Sequence, residues 1–169
     1  GNQPMLSAAG RILITFNGEI YNHLEMRDEL TKKNNFNSWS GSSDTETLLQ
    51  AIEIWGLEKA LEKVNGMFSF AAWDRKMKCL YLGRDRFGEK PLYYGLIGNS
   101  SNKSLVFASE IHALKKIPFF KKEINPLSFE YFLRLSYIPT PLSIYKDIFK
   151  VRPASMIIFN LKEDLNKQL

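Results

Sequence analysis

Cysteine is nearly absent from this chain. Cys79 is the only one in 169 residues, and histidine occurs twice, at His23 and His112. A single thiol excludes an internal disulfide and suits a reducing, cytoplasmic setting. Neither histidine has a second His or Cys beside it, so no metal-ligand spacing exists and no metal site is expected. No apolar run approaches the ~20 residues that a bilayer-spanning helix needs, and the first residues do not read as a signal peptide. A membrane is therefore not an expected partner.

Charge is present but dispersed. The formal net charge is +5 and the isoelectric point about 9.2, yet the only local basic concentration is Lys115-Lys116 and Lys121-Lys122. These pairs flank Ile117-Pro118-Phe119-Phe120, which reads as a solvated loop at a helix end. No recognition helix, zinc spacing or RNA-binding aromatic pair accompanies them, so nucleic acid is not expected either. With 44% hydrophobic residues, a chain of this length reads as one folded domain that buries about two-thirds of its unfolded surface.

The periodicity predicts a strand over 11–16 and a helix over about 23–33, followed by a loop-rich stretch at 34–41 with a short strand. Asn22 with Glu25, and Ser43 with Glu46, have the spacing of capping boxes. The second opens a helix with the stripe Leu48, Leu49, Ile52 and Trp55, stopped by Gly56. Residues 57–64 form a further short helix. The pattern then becomes extended, with strands at 68–73, 80–83, 92–96 and 105–108 in a meander broken at 74–75, 86–88 and 98–102. Asn125-Pro126 opens another helix through about 135, 155–159 is a last strand, and 160–169 is polar. The class is α+β, with strands largely in sequence and several of them apolar on both faces.

Asn17-Gly18 follows the apolar run Ile12-Leu13-Ile14-Thr15-Phe16, and a helix-former's sequence begins at His23. Two readings fit. Asn-Gly is an ordinary turn pair that glycine permits through positive φ. Alternatively, a side-chain amide and a glycine N–H at a strand end are donors for a developing oxyanion. Asp44 is likewise open: a carboxylate in the first turn of a helix is favoured by the macrodipole, and is also a sound partner for an ammonium group.

Phe16-Asn17-Gly18-Glu19-Ile20-Tyr21-Asn22-His23 resembles the oxyanion-hole motif of class II glutamine amidotransferases. The glutaminase domain of glutamine-hydrolysing asparagine synthetases is the nearest likeness. Four more blocks resemble that family in the same order: Gly41-Ser42-Ser43-Asp44-Thr45-Glu46, Asn65-Gly66-Met67-Phe68-Ser69-Phe70-Ala71, the stretch from Gly83-Arg84-Asp85 to Leu92-Tyr93-Tyr94, and Phe107-Ala108-Ser109-Glu110-Ile111-His112-Ala113-Leu114. The segment from Tyr137-Ile138-Pro139 to Arg152-Pro153 is similar to the tail leading into a synthetase domain. Ala154 stands where relatives usually carry glycine.

The resemblance implies an N-terminal-nucleophile hydrolase fold, a four-layer αββα sandwich that begins here inside the fold. Residues 1–160 would be the glutaminase domain and 161–169 a linker towards a synthetase domain. It implies Asn17 and Gly18 as the oxyanion hole, Asp44 and, more weakly, Glu19 as contacts for the substrate amine, and L-glutamine as substrate. The family's nucleophile is an N-terminal cysteine whose α-amino group is the base. Residue 1 is glycine, and Cys79, in an alternating strand pattern, reads as a small buried apolar residue. The chain alone is therefore expected to be inactive. No cofactor is expected for this domain; ATP and magnesium would belong to the synthetase domain, and homodimerisation is left open. Arg84-Asp85, Glu110 and His112 read as scaffold. Two alternatives remain: an amidotransferase with another acceptor, such as a surface-sugar precursor, and a non-catalytic interaction or regulatory domain that keeps the fold.

Overall fold

The computed structural model describes residues 2–99 and 102–168. Gly1, Leu169 and the Ser100-Ser101 pair of the expected 98–102 turn lie outside the described residues. The described strands are β1 (Met5–Leu6), β2 (Ile12–Ile20), β3 (Gly66–Asp74), β4 (Cys79–Arg84), β5 (Tyr93–Asn99), β6 (Asn102–Ala108), β7 (Ile148–Lys150) and β8 (Met156–Asn160). The helices are α1 (His23–Asn34), α2 (Asp44–Trp55), α3 (Leu57–Lys63), α4 (Ile111–Leu114) and α5 (Pro126–Leu135). Two antiparallel sheets form, in the orders β1-β2-β3-β4-β8 and β6-β5-β7. The meander is thus divided: β3 and β4 are neighbours in the first sheet, β5 and β6 in the second.

Alternation along each strand sends one set of side chains to each face, and burial on both faces builds the layers. Ile12, Ile14, Phe16 and Ile20 of β2 pack with Met26 and Leu30 of α1 and Leu48, Leu49 and Ile52 of α2. On the other face Ala71, Leu82 and Phe159 meet Leu92, Tyr94 and Leu105, closing the space between the sheets. Beyond the second sheet, Val106 and Ile148 pack with Leu114 of α4, joined by Ile117 and Phe120. The order is helix, sheet, sheet, helix, as expected. α5 stands apart from this packing: of its side chains only Ser128 is buried, and Leu133 is 68% exposed.

Several local expectations hold and others are corrected. Ser43 caps α2 by accepting from the Glu46 N–H at 3.2 Å, Gly56 ends that helix, and Asn125 caps α5. Asn22 forms no capping box. Its side chain donates to Lys63 O and accepts from Asn65 N–H, at 2.8 and 2.9 Å, tying the start of α1 to the entry of β3. No strand forms at 34–41, because the segment is held by side chains: the Arg27 guanidinium stacks 3.8 Å from the Trp39 ring, whose Nε1 donates to Thr31 Oγ1. Cys79 is half-buried rather than buried, since it opens β4 at the sheet's margin. Ala154 has φ 51°, a left-handed conformation that costs an L-residue about 1–2 kcal/mol.

The passage from β4 to β5 carries the chain between sheets, and two charged residues organise it. Asp85, 1% exposed, accepts from the N–H groups of Phe68, Phe87, Glu89 and Lys90 at 3.0–3.3 Å. Arg84 donates to the carbonyls of Lys90, Val151 and Gly88. The pair is scaffold, as its sequence suggested. Burial pushes the Asp85 carboxyl up, but the four N–H donors outweigh burial and hold it below the usual carboxylate range. A folded value below the unfolded one means stability present above about pH 4 and lost as pH falls through the folded value. Asp85→Ala is expected to cost about 3 kcal/mol or more at pH 7 by leaving buried donors unpaired. The loss should shrink at acid pH, as read by urea titrations at pH 7 and pH 3.

Candidate active site

The Asn-Gly pair does not turn. β2 runs through it to Ile20, with Asn17 opposite Ser69 and Gly18 opposite Phe68. Glycine is required here by close approach: a Cβ on Gly18 would lie 2.1 Å from Met67 O and 2.6 Å from Phe68 Cα, and φ is 153°. Gly66 faces the same constraint, with a virtual Cβ 2.2 Å from Glu19 O. These glycines let β2 and β3 press together, and the strand continues where the sequence suggested a turn. Asn17 and Glu19, two apart, project from the face opposite Phe16 and Ile20; both are exposed.

Asp44 begins α2 and reaches the same strand end. Its Oδ2 accepts from Ile20 N–H at 3.0 Å and its Oδ1 from Thr45 N–H at 2.7 Å. Glu46, buried two residues on, accepts from Ser40 and Gly41 N–H at 2.6 and 2.9 Å and lies 3.9 Å from Arg27. The Gly41-Ser42-Ser43-Asp44 block is thus braced from behind by a carboxylate whose sequence signal was only that of a cap.

Between the sheets lies a cavity of about 180 Å³ whose lining includes Gln3, Thr15, Asn17, Ser69, Phe107 and Ser109. Asn17 Nδ2 donates across it to Ser109 Oγ at 3.2 Å. Of the four residues expected in a site, Asn17 lines the cavity, whereas Gly18 and Glu19, next along β2, and Asp44, bonded to Ile20, lie outside its lining. A neutral amide donor and two carboxylates suit a ligand with a polar carbonyl and an ammonium group. Cys79 is remote: it pairs with Asp74 and thus, through β3, aligns with Ile12, five residues along β2 from Asn17, or about 17 Å. Ser109 and Glu46 are the residues whose parts sequence reasoning missed; both lie inside blocks that it singled out. Among the described residues no three His, Cys, Asp or Glu side chains converge as a metal site requires, and no helix is long and apolar enough to cross a membrane.

The sequence profile of the glutamine amidotransferase domain matches residues 1–168. The chain belongs to that family. Asparagine synthetase (glutamine-hydrolyzing) 3 of Bacillus subtilis is 35% identical over 169 residues, covering 98% of this chain and 26% of the relative. The corresponding synthetase 1 of the same organism is 36% identical over 165 residues, covering 97% of the chain and 24% of the relative. This glutamine amidotransferase domain therefore spans about a quarter of the length of these curated relatives. Glutamine phosphoribosylpyrophosphate amidotransferase from B. subtilis superposes with a TM-score of 0.60 over 95% of this chain and 30% of that one, at 20% identity. That likeness is one of fold, and it matches the four layers described above.

Two outcomes follow for the amidotransferase domain. Gly18→Ala is expected to destabilise it by about 3 kcal/mol, because the methyl group cannot fit without parting β2 from β3; a lowered urea midpoint at unchanged slope is the readout. Cys79→Ala is expected to leave glutamine hydrolysis by the full-length gene product unchanged, and a loss of turnover would place the thiol in the site after all.

Proposed function

We propose that this domain is the glutaminase half of a glutamine-hydrolysing asparagine synthetase, releasing ammonia for ATP-dependent amidation of aspartate. The single observation that carries the reading is the anchoring of Asp44 to β2 at Ile20, immediately beyond Asn17-Gly18-Glu19. An oxyanion donor on β2 and an ammonium partner on α2 are thus held close along one strand. The 35% identity to asparagine synthetases supports the same reading.

In this mechanism a cysteine thiolate attacks the side-chain carbonyl carbon of L-glutamine. The developing oxyanion accepts from Asn17 Nδ2–H and Gly18 N–H, uncharged donors that stabilise charge without titrating. Ammonia leaves after protonation, and water then cleaves the thioester to L-glutamate and free thiol, so the two steps sum to glutamine plus water giving glutamate plus ammonia. Asp44, with a further contribution from Glu19, holds the substrate ammonium. That thiol is the family's N-terminal cysteine and not Cys79, which aligns with Ile12, about 17 Å along β2 from Asn17. ATP and magnesium belong to a synthetase domain of the same polypeptide, in a cytoplasmic setting.

In the full-length gene product, Asn17→Ala should lower kcat at least 100-fold with little change in KM, because the lost donor serves the transition state. Asp44→Asn should instead raise KM about tenfold by removing the counter-charge of the ammonium. Glutamate release against glutamine concentration reads both. An unchanged kcat for the first variant overturns the oxyanion assignment and favours an interaction domain that keeps the fold.

A further inference from the structure

One hydrogen bond spans the cleft at the site. Asn17 sits in the first sheet, Ser109 immediately follows β6 of the second, and the two are 92 residues apart in sequence. Ser109 is a rigid anchor. Ala108 before it is in register with Tyr93 of β5, and α4 after it buries Leu114 at 1% exposure in the packing beneath the second sheet. Asn17, by contrast, is exposed, and its side chain has several staggered rotamers open to it. A free amide would sample those rotamers. An amide with one N–H held by Ser109 Oγ keeps its second N–H in a fixed direction within the cavity.

We infer that Ser109 is a positioning residue that orients the Asn17 amide as oxyanion donor. The inference rests on the glutaminase reading above. A donor aimed before the reaction needs no reorientation in the transition state, which is where such electrostatic stabilisation has its largest effect. Because the anchor belongs to the other sheet, donor geometry also depends on the spacing between sheets.

The test is a double-mutant cycle in the full-length gene product. Ser109→Ala should lower kcat about tenfold, less than removal of the donor itself, with KM within about twofold. Ser109→Thr, which keeps the hydroxyl, should recover most of that loss. In an Asn17→Ala background Ser109→Ala should have no further effect. Equal losses in both backgrounds, or no loss in the wild-type background, overturn the role of Ser109 while Asn17→Ala still impairs turnover. If Asn17→Ala is itself silent, the glutaminase reading fails, and a second measurement on this chain decides the contact. In ¹H–¹⁵N spectra the Asn17 side-chain amide should show one proton protected from exchange, lost in Ser109→Ala; no change there overturns the inference.

Discussion

A buried carboxylate held by backbone N–H groups fixes this fold at the point where the chain changes sheets. Asp85 gathers N–H groups from the crossing loop and from Phe68, and its own N–H returns to Phe68 O at 2.9 Å. Phe68 is in register with Gly18. The crossing is therefore pinned directly behind the strand that carries the site, and the cleft between the sheets inherits its position. Removing charge from water here is costly, and the backbone N–H groups supply the compensation.

Arg84 completes the arrangement by opposite means. Asp85 can only accept and arginine can only donate, so one residue takes the loop's N–H groups while the other takes its carbonyls. Between them they satisfy backbone groups that the crossing would otherwise leave without a partner in the protein. Ala154, in its left-handed conformation, joins the same cluster through its N–H to Asp85 O at 2.8 Å. The strain at that residue is offset by its place in this network.

The site is then a consequence of three approaches rather than of one motif. Gly18 and Gly66 bring β2 against β3, Asp44 brings α2 against the end of β2, and the crossing brings β6 opposite Asn17. Each is limited by an atom from elsewhere in the chain: Met67 O, Ile20 N–H and Ser109 Oγ. Asn17 and Asp44 thus sit on separately anchored elements. That separation is why the reading assigns turnover to one and substrate affinity to the other.

What the sequence by itself determined is the local structure, whose causes span a few residues. The Ser43 cap, the Asn125-Pro126 helix start and the stop at Gly56 follow from contacts within one turn, and the alternating strands follow from a period of two. Family and fold were also legible, because five blocks in order leave little freedom. Tertiary structure decided the rest. Asn17-Gly18 became mid-strand, not turn, because Met67 and Phe68 leave room only for glycine. Asn22 gave up its cap for Lys63 and Asn65. The even-looking meander split between two sheets at Asp85. Ser109 acquired a partner 92 residues away. In each case the deciding atom is distant along the chain, and no local pattern of residues encodes where the fold will place it.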